Sequence, residues 1–166
     1  MIEGENWVEE HLLKLAIVGT ETIEKEKVFR SVQKYQDSDT LGVDITTQIV
    51  DIKDRKVKLI LVDTKGDRKF EKLRPEYYRG AEGILLVFSF NNMQSFRDIP
   101  RWIKEIEKSN PENVNKIRLI GIKGGNEVVL KEEIDNLSSK YDLKYFEYAE
   151  EEKKGKFMQL IARDII

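Results

Sequence analysis

The chain has 166 residues, 40% of them hydrophobic, enough for the core of one α/β domain, and neither a Pro/Gly/Ser-rich stretch nor a charge block divides it. Charged side chains make up 36% at a net charge of −2, so both signs mix over the surface and bulk attraction to nucleic acid or membrane is excluded. No cysteine is present, which excludes disulfides, thiolate metal sites, thiol nucleophiles and lipidated cysteines in this chain.

The N-terminus MIEGENWVEEHLL is too acidic for a signal peptide, and every apolar run is shorter than the roughly 20 residues of a bilayer span. A cytoplasmic protein without a direct membrane anchor is expected. Residues 1–11 read as an extension, and Trp7, Val8 and Leu12 as the apolar face of a short N-terminal helix packed on the domain. His11 is the lone histidine, without a cysteine partner, and is not read as a metal ligand.

Leu12 to Val18 (LLKLAIV) is a nearly unbroken apolar run ending at Gly19, the pattern of a buried strand feeding a turn, and a charged helical stretch follows from about Lys25 to Gln33. Val43 to Ile52 alternates apolar and polar residues, Asp54-Arg55-Lys56 is a polar turn, and Val57 to Val62 is apolar again, which together predict a hairpin. Gly83 to Phe90 and Ile117 to Ile122 are further apolar strands. Between them lies a helix near Ser95 to Lys108, with Phe96, Ile99, Ile103 and Ile106 on one face and Pro100 delaying or bending it. A helix near Lys131 to Lys140, a strand near Lys144 to Tyr148 and a last helix with Phe157, Leu160 and Ile161 facing inward complete the order. Strands alternating with helices after one early hairpin imply a mostly parallel sheet covered on both faces, with ligands at the carboxyl ends of the strands. The loops beginning at Gly19, Asp63 and Ile122 occupy those ends.

A phosphate-binding loop has the pattern G-x-x-x-x-G-K-[ST], because backbone N–H groups, a lysine and a Mg²⁺-binding hydroxyl act together on a polyphosphate. The stretch Gly19-Thr20-Glu21-Thr22-Ile23-Glu24-Lys25-Glu26 keeps only Gly19 and Lys25. Taken alone, that pair is no more than a solvated turn. The longer segment Thr40 to Asn92 (TLGVDITTQIVDIKDRKVKLILVDTKGDRKFEKLRPEYYRGAEGILLVFSFNN), however, resembles a Rab-type member of the Ras-superfamily small GTPases from switch I through switch II. RLIGIKGG (Arg118 to Gly125) falls at that family's guanine-recognition motif, and IARDI lies near the C-terminus.

The resemblance implies a small GTPase (P-loop NTPase) fold: a six-stranded, mostly parallel sheet with one antiparallel edge strand and five surrounding helices. Carried over residue by residue, it makes Gly19, Lys25, Thr40, Asp63, Gly66 and Lys123 the nucleotide-site positions, with Thr40 and Asp63 the Mg²⁺ positions. No residue is carried over as catalytic, because Asp67 stands where the family's water-orienting glutamine lies and is shorter and charged. In the guanine motif N-K-x-D the residues are Ile122, Lys123, Gly124 and Gly125, so the asparagine and the base-reading aspartate are both absent. The later S-A-K motif falls near Tyr148-Ala149-Glu150, and the segment between Lys25 and Thr40 is shorter than in the family.

Glu21, Glu24 and Glu26 put carboxylates where a polyphosphate would sit. At about 4 Å and an effective dielectric near 20, each like-charge contact costs on the order of 4 kcal/mol, less where the side chain swings into water. Glu24 also lacks glycine's access to positive φ, which an anion nest needs, while Glu26 has the chemistry to bind Mg²⁺ directly.

Three functional expectations follow. The first is a GTPase-shaped protein-interaction module without a nucleotide cofactor, whose partner docks on switch I, the hairpin and switch II; there the family's apolar partner patch corresponds to Ile45, Val62 and Tyr77. The second is a nucleotide switch holding GTP or GDP with Mg²⁺, slow in hydrolysis and altered in base choice. The third is a structural subunit of a larger assembly.

Overall fold

The computed structural model describes residues 11–21, 23, 25, 28, 33–38, 42–149 and 154–166. Seven strands form one sheet: β1 (His11–Gly19), β2 (Gln33–Ser38), β3 (Val43–Ile52), β4 (Arg55–Thr64), β5 (Gly83–Ser89), β6 (Ile117–Ile122) and β7 (Lys144–Tyr148). Their order is β2-β3-β4-β1-β5-β6-β7. The described α-helices are α1 (Arg74–Tyr78), α2 (Met93–Arg97), α3 (Ile99–Ser109), α4 (Lys131–Tyr141) and α5 (Lys154–Ile165).

β1 lies centrally, parallel to β4 on one side and β5 on the other. A strand covered on both faces is apolar at successive positions, which is why Leu15 to Val18, all buried, do not alternate. Leu13, Leu15 and Ile17 join one core with Phe157, Met158 and Ile161 of α5. Ala16 and Val18 join the other, with Trp102, Ile103 and Ile106 of α3. Full burial of a Leu, Ile or Phe side chain contributes about 1.5–3 kcal/mol, so these two layers carry the fold.

The six expected strands are all present, and the antiparallel strand of the hairpin is β3. A seventh was not expected: β2 pairs antiparallel outside β3 and becomes the edge. Gln33, read as the end of a helix, is therefore the first residue of a strand, while Lys25 and Val28 from the same stretch are buried. The hairpin turns earlier than its polar run implies, at Lys53 and Asp54, with Lys53 at φ 54° and Arg55 already in β4.

Pro100 acts as expected from its missing N–H. The helical stretch breaks at Asp98 into α2 and α3, and Pro100 sits in the first turn of α3, where no donor is needed. Asn92 starts α2 by accepting a hydrogen bond from the Ser95 N–H at 3.0 Å. α5 differs from its expected inward face at one position: Leu160 is exposed, and Phe157, Met158, Ile161 and Ala162 make the buried stripe. The helix axis sets that stripe one position away from Leu160. Trp7 and Val8 lie outside the described residues; Leu12 is exposed and His11 already belongs to β1, with Nε2 3.9 Å from a Glu82 carboxylate oxygen. Among the described residues no helix is long and apolar enough to cross a membrane.

Candidate functional site

Gly19 ends β1 at a point of close backbone approach. A Cβ there would lie 2.6 Å from the Val87 carbonyl oxygen of the neighbouring strand. The chain then crosses the top of the sheet, and Thr20 is tied sideways: its hydroxyl donates to Asp98 Oδ2 at 2.6 Å and accepts from the Trp102 indole at 3.5 Å. Glu21 is exposed at this turn. Lys25 turns inward and is only 6% exposed. Its ammonium donates to the Thr64 carbonyl at 2.7 Å and lies 3.2 Å from Asp63 Oδ1. Thr64, fully buried, donates its hydroxyl to the Ile17 carbonyl at 2.7 Å, which locks the end of β4 to β1.

Gly66 closes the same corner. A Cβ on it would strike the Gly19 carbonyl and lie 2.9 Å from the Glu21 nitrogen, so the loop after β4 presses its backbone onto the loop after β1. Gly19, Lys25, Asp63 and Gly66, scattered in sequence, are thus brought to one place. Thr40, Glu24 and Glu26 lie outside the described residues.

Asp67 is occupied locally. Its carboxylate accepts from the Lys69 N–H at 3.0 Å and caps the short turn Arg68–Phe70. Its carbonyl, with that of Lys65, accepts from Arg74, a residue that the sequence reading did not single out. Arg74 Nη1 reaches these oxygens at 2.8 Å and 3.0 Å. The guanidinium also holds Glu105 of α3, at 3.0 and 3.1 Å from Nε and 2.7 Å from Nη2, and lies over the Trp102 ring at 4.8 Å. Tyr78 donates its hydroxyl to the same carboxylate, and burial followed by the Glu105 charge pushes that phenol far above its ordinary value. An arginine amid RKFEKLRPEYYRG reads as one more surface charge; nothing in its neighbours marks it as buried.

The base-side loop is built differently. Lys123 follows β6, donates its backbone N–H to the Tyr148 carbonyl at 2.8 Å, and so adjoins the end of β7 where the S-A-K position was expected. Its ammonium is 4.0 Å from Glu147 Oε2 and lies over the Phe90 ring at 5.5 Å. Gly125 takes φ 66°, and the Asn91 amide abuts it, 2.9 Å from where a Cβ would be. Among the described residues no group of three or more His, Asp or Glu is arranged to hold a metal ion.

Of the three expected partner positions, Ile45 and Val62 are opposite each other in the β3–β4 register, and Tyr77 lies on α1, which packs against β4 and α3. Val62 is 3% exposed and offers no surface, because it faces the same side as Ala16, its neighbour on β1, and is packed there. That position is corrected to a packing role. Ile45 and Tyr77 stay partly exposed.

A sheet of this order, with a glycine-led turn after β1 and an aspartate-glycine loop after β4 meeting above it, defines a Ras-type domain. The chain matches the Ras family over residues 14–165 and belongs to it. It is similar to the Ras-related protein Rab-13 of Bos taurus, 31% identical over 95% of this chain and 81% of that protein. The Rab-13 of Canis lupus familiaris is 30% identical with the same coverage, and Rab-10 of Diplobatis ommata is 34% identical over 65% of this chain and 55% of its own length. Within the Ras superfamily, the likeness is to the Rab branch.

Proposed function

We propose that this Rab-like protein is a protein-interaction module that has lost efficient GTP binding and hydrolysis, and that it engages a protein partner through the surface formed by switch I, the hairpin and switch II. The observation that carries the reading is the pairing of Lys25 with Asp63. The cation that would neutralise phosphate and the carboxylate that would hold Mg²⁺ are 3.2 Å apart and satisfy each other, with the Thr64 carbonyl as a third partner. A polyphosphate would have to displace Asp63, itself partly exposed, from the buried Lys25 before gaining that cation, and the exposed Glu21 carboxylate stands in the same turn. On the base side Gly125 supplies no carboxylate, and losing such a paired hydrogen-bonding group discriminates strongly against the intended ligand. The residues described therefore fit GTP and Mg²⁺ poorly. Asp67, turned back onto the Lys69 N–H, adds no group for orienting water.

The second reading, a guanine-nucleotide switch with slow hydrolysis and altered base recognition, is favoured by the convergence of Gly19, Lys25, Asp63 and Gly66 above the sheet. One experiment separates the two. Purified protein is titrated with GTP and with GDP in the presence of Mg²⁺ by calorimetry, and its melting is followed in parallel. The module reading expects no heat and no shift in melting; micromolar binding with a clear rise in melting temperature overturns it. A variant carrying Glu21→Gly, Glu24→Gly and Glu26→Ser is expected to gain phosphate affinity, since three like charges leave the loop.

A further inference from the structure

We infer that Arg74, Glu105 and Tyr78 form an internal clamp that holds the loop Lys65–Asp67 and helix α1 in a single arrangement, so that the Tyr77 side of the partner surface is formed without any ligand. The inference rests on the partner surface proposed above and concerns what fixes its shape.

Arg74 is 1% exposed, and the described contacts use all three of its guanidinium nitrogens. Nη1 bridges the carbonyls on either side of Gly66, while Nε and Nη2 grip a single carboxylate on the neighbouring helix. The planar fork of arginine suits this double task, which lysine, a point charge, cannot perform. Glu105 is itself only 14% exposed and is held from a second direction by Tyr78. Behind the guanidinium stands Trp102, 1% exposed, with Arg101 on its ring at 4.8 Å. Its indole N–H points to Thr20 of the loop after β1.

The consequence for movement is electrostatic. If the loop around Gly66 swung away, two carbonyls would leave a buried cation whose remaining partner is one carboxylate, and removing partners from a buried charge is strongly opposed. The anchor cannot follow, because α3 is fixed in the core through Ile99, Ile103 and Ile106. A loop that is to respond to a ligand needs two arrangements of similar free energy. The clamp stabilises one of them at the expense of the other, and α1, beginning at Arg74 itself, carries Tyr77 with it.

Amide hydrogen exchange on the full chain tests this directly. Without nucleotide, peptides covering residues 65–78 are expected to be protected, and adding GTP or GDP with Mg²⁺ should leave them unchanged. Arg74→Gln and Glu105→Gln should each speed exchange in this segment by about tenfold or more while β5 and β6 keep their protection. Exchange in the unmodified chain as fast as in the variants, or protection that appears only with GTP, overturns the clamp. Should Arg74→Gln unfold the protein, Glu105→Gln preserves shape and decides the variant arm, and the unmodified chain decides the ligand arm. Calorimetry on the same samples keeps the two readings apart. GTP binding with an unchanged segment defeats the module reading alone, whereas no binding with a rapidly exchanging segment defeats the clamp alone.

Discussion

On the reading proposed above, the loops after β1 and β4 and the loop after β6 are the phosphate and base halves of one site, and their side chains are engaged in different physical ways. On the phosphate half the retained residues are close together and consume one another: Lys25 is buried between Asp63 and the Thr64 carbonyl, and Gly66 packs on Gly19 and Glu21. On the base half Lys123 is partly exposed, and the Glu147 carboxylate is 4.0 Å from its ammonium. Gly124 and Gly125 beside it bring no side chain at all. On that reading the first half is occupied by internal partners, and the second lacks the carboxylate that would recognise a base. Restoring Gly125→Asp alone would thus leave the phosphate half unchanged, and relieving the acidic loop alone would leave the base unread.

Substitutions sharpen this contrast, with the largest effect expected where charge is buried deepest. Glu105→Ala, which strands Arg74 in the interior, should cost about 3–5 kcal/mol in chemical denaturation, while Glu105→Gln costs less because the amide still accepts. Lys25→Met keeps the apolar stem but removes donors to Asp63 and Thr64, so a loss of about 1–3 kcal/mol is expected in the absence of nucleotide. If Lys25 instead served only a ligand, the melting of the free protein would not change. Asp164 gives a pH-dependent check away from both halves. Burial works to raise its carboxyl, but hydrogen bonds from Lys144 and Arg118, at 2.8 and 2.6 Å, outweigh this and hold it below the ordinary carboxylate range. Its folded value lies under its unfolded one, so the stabilisation is complete above the ordinary carboxylate value and disappears as pH falls through the folded value. Asp164→Asn should therefore lower stability by about 1 kcal/mol at neutral pH and flatten the acid limb of the stability curve. Least affected is Lys123→Ala, whose exposed pairing with Glu147 should be worth less than about 1 kcal/mol by melting.

The elements that were legible are those whose pattern is local. β1, β5 and β6 announce themselves as apolar runs, α3 by its spaced Ile99, Ile103 and Ile106, and the α2–α3 break by Pro100. Family spacing grouped Gly19, Lys25, Asp63 and Gly66 as an expectation, and these four residues meet above the sheet. What could not be read was the occupancy of those positions: that Lys25 turns inward to Asp63, that Asp67 caps its own turn, and that Val62 is packed rather than presented. Arg74 was missed for the same reason, since a charged residue in a charged stretch has no periodic signature.

The order of the core strands and of the helices from residue 93 on, the parallel core and the acidic character of the first loop were already settled along the chain, because hydrophobic period and residue charge are properties of neighbours in sequence, whereas the edge strand β2 was not. Which charges are buried, and whom they pair with, was settled across it. Arg74 meets Glu105 from 31 positions away, and Lys25 meets Thr64 from 39. Only folding brings such groups into the same low-dielectric corner, where desolvation makes each depend on the other.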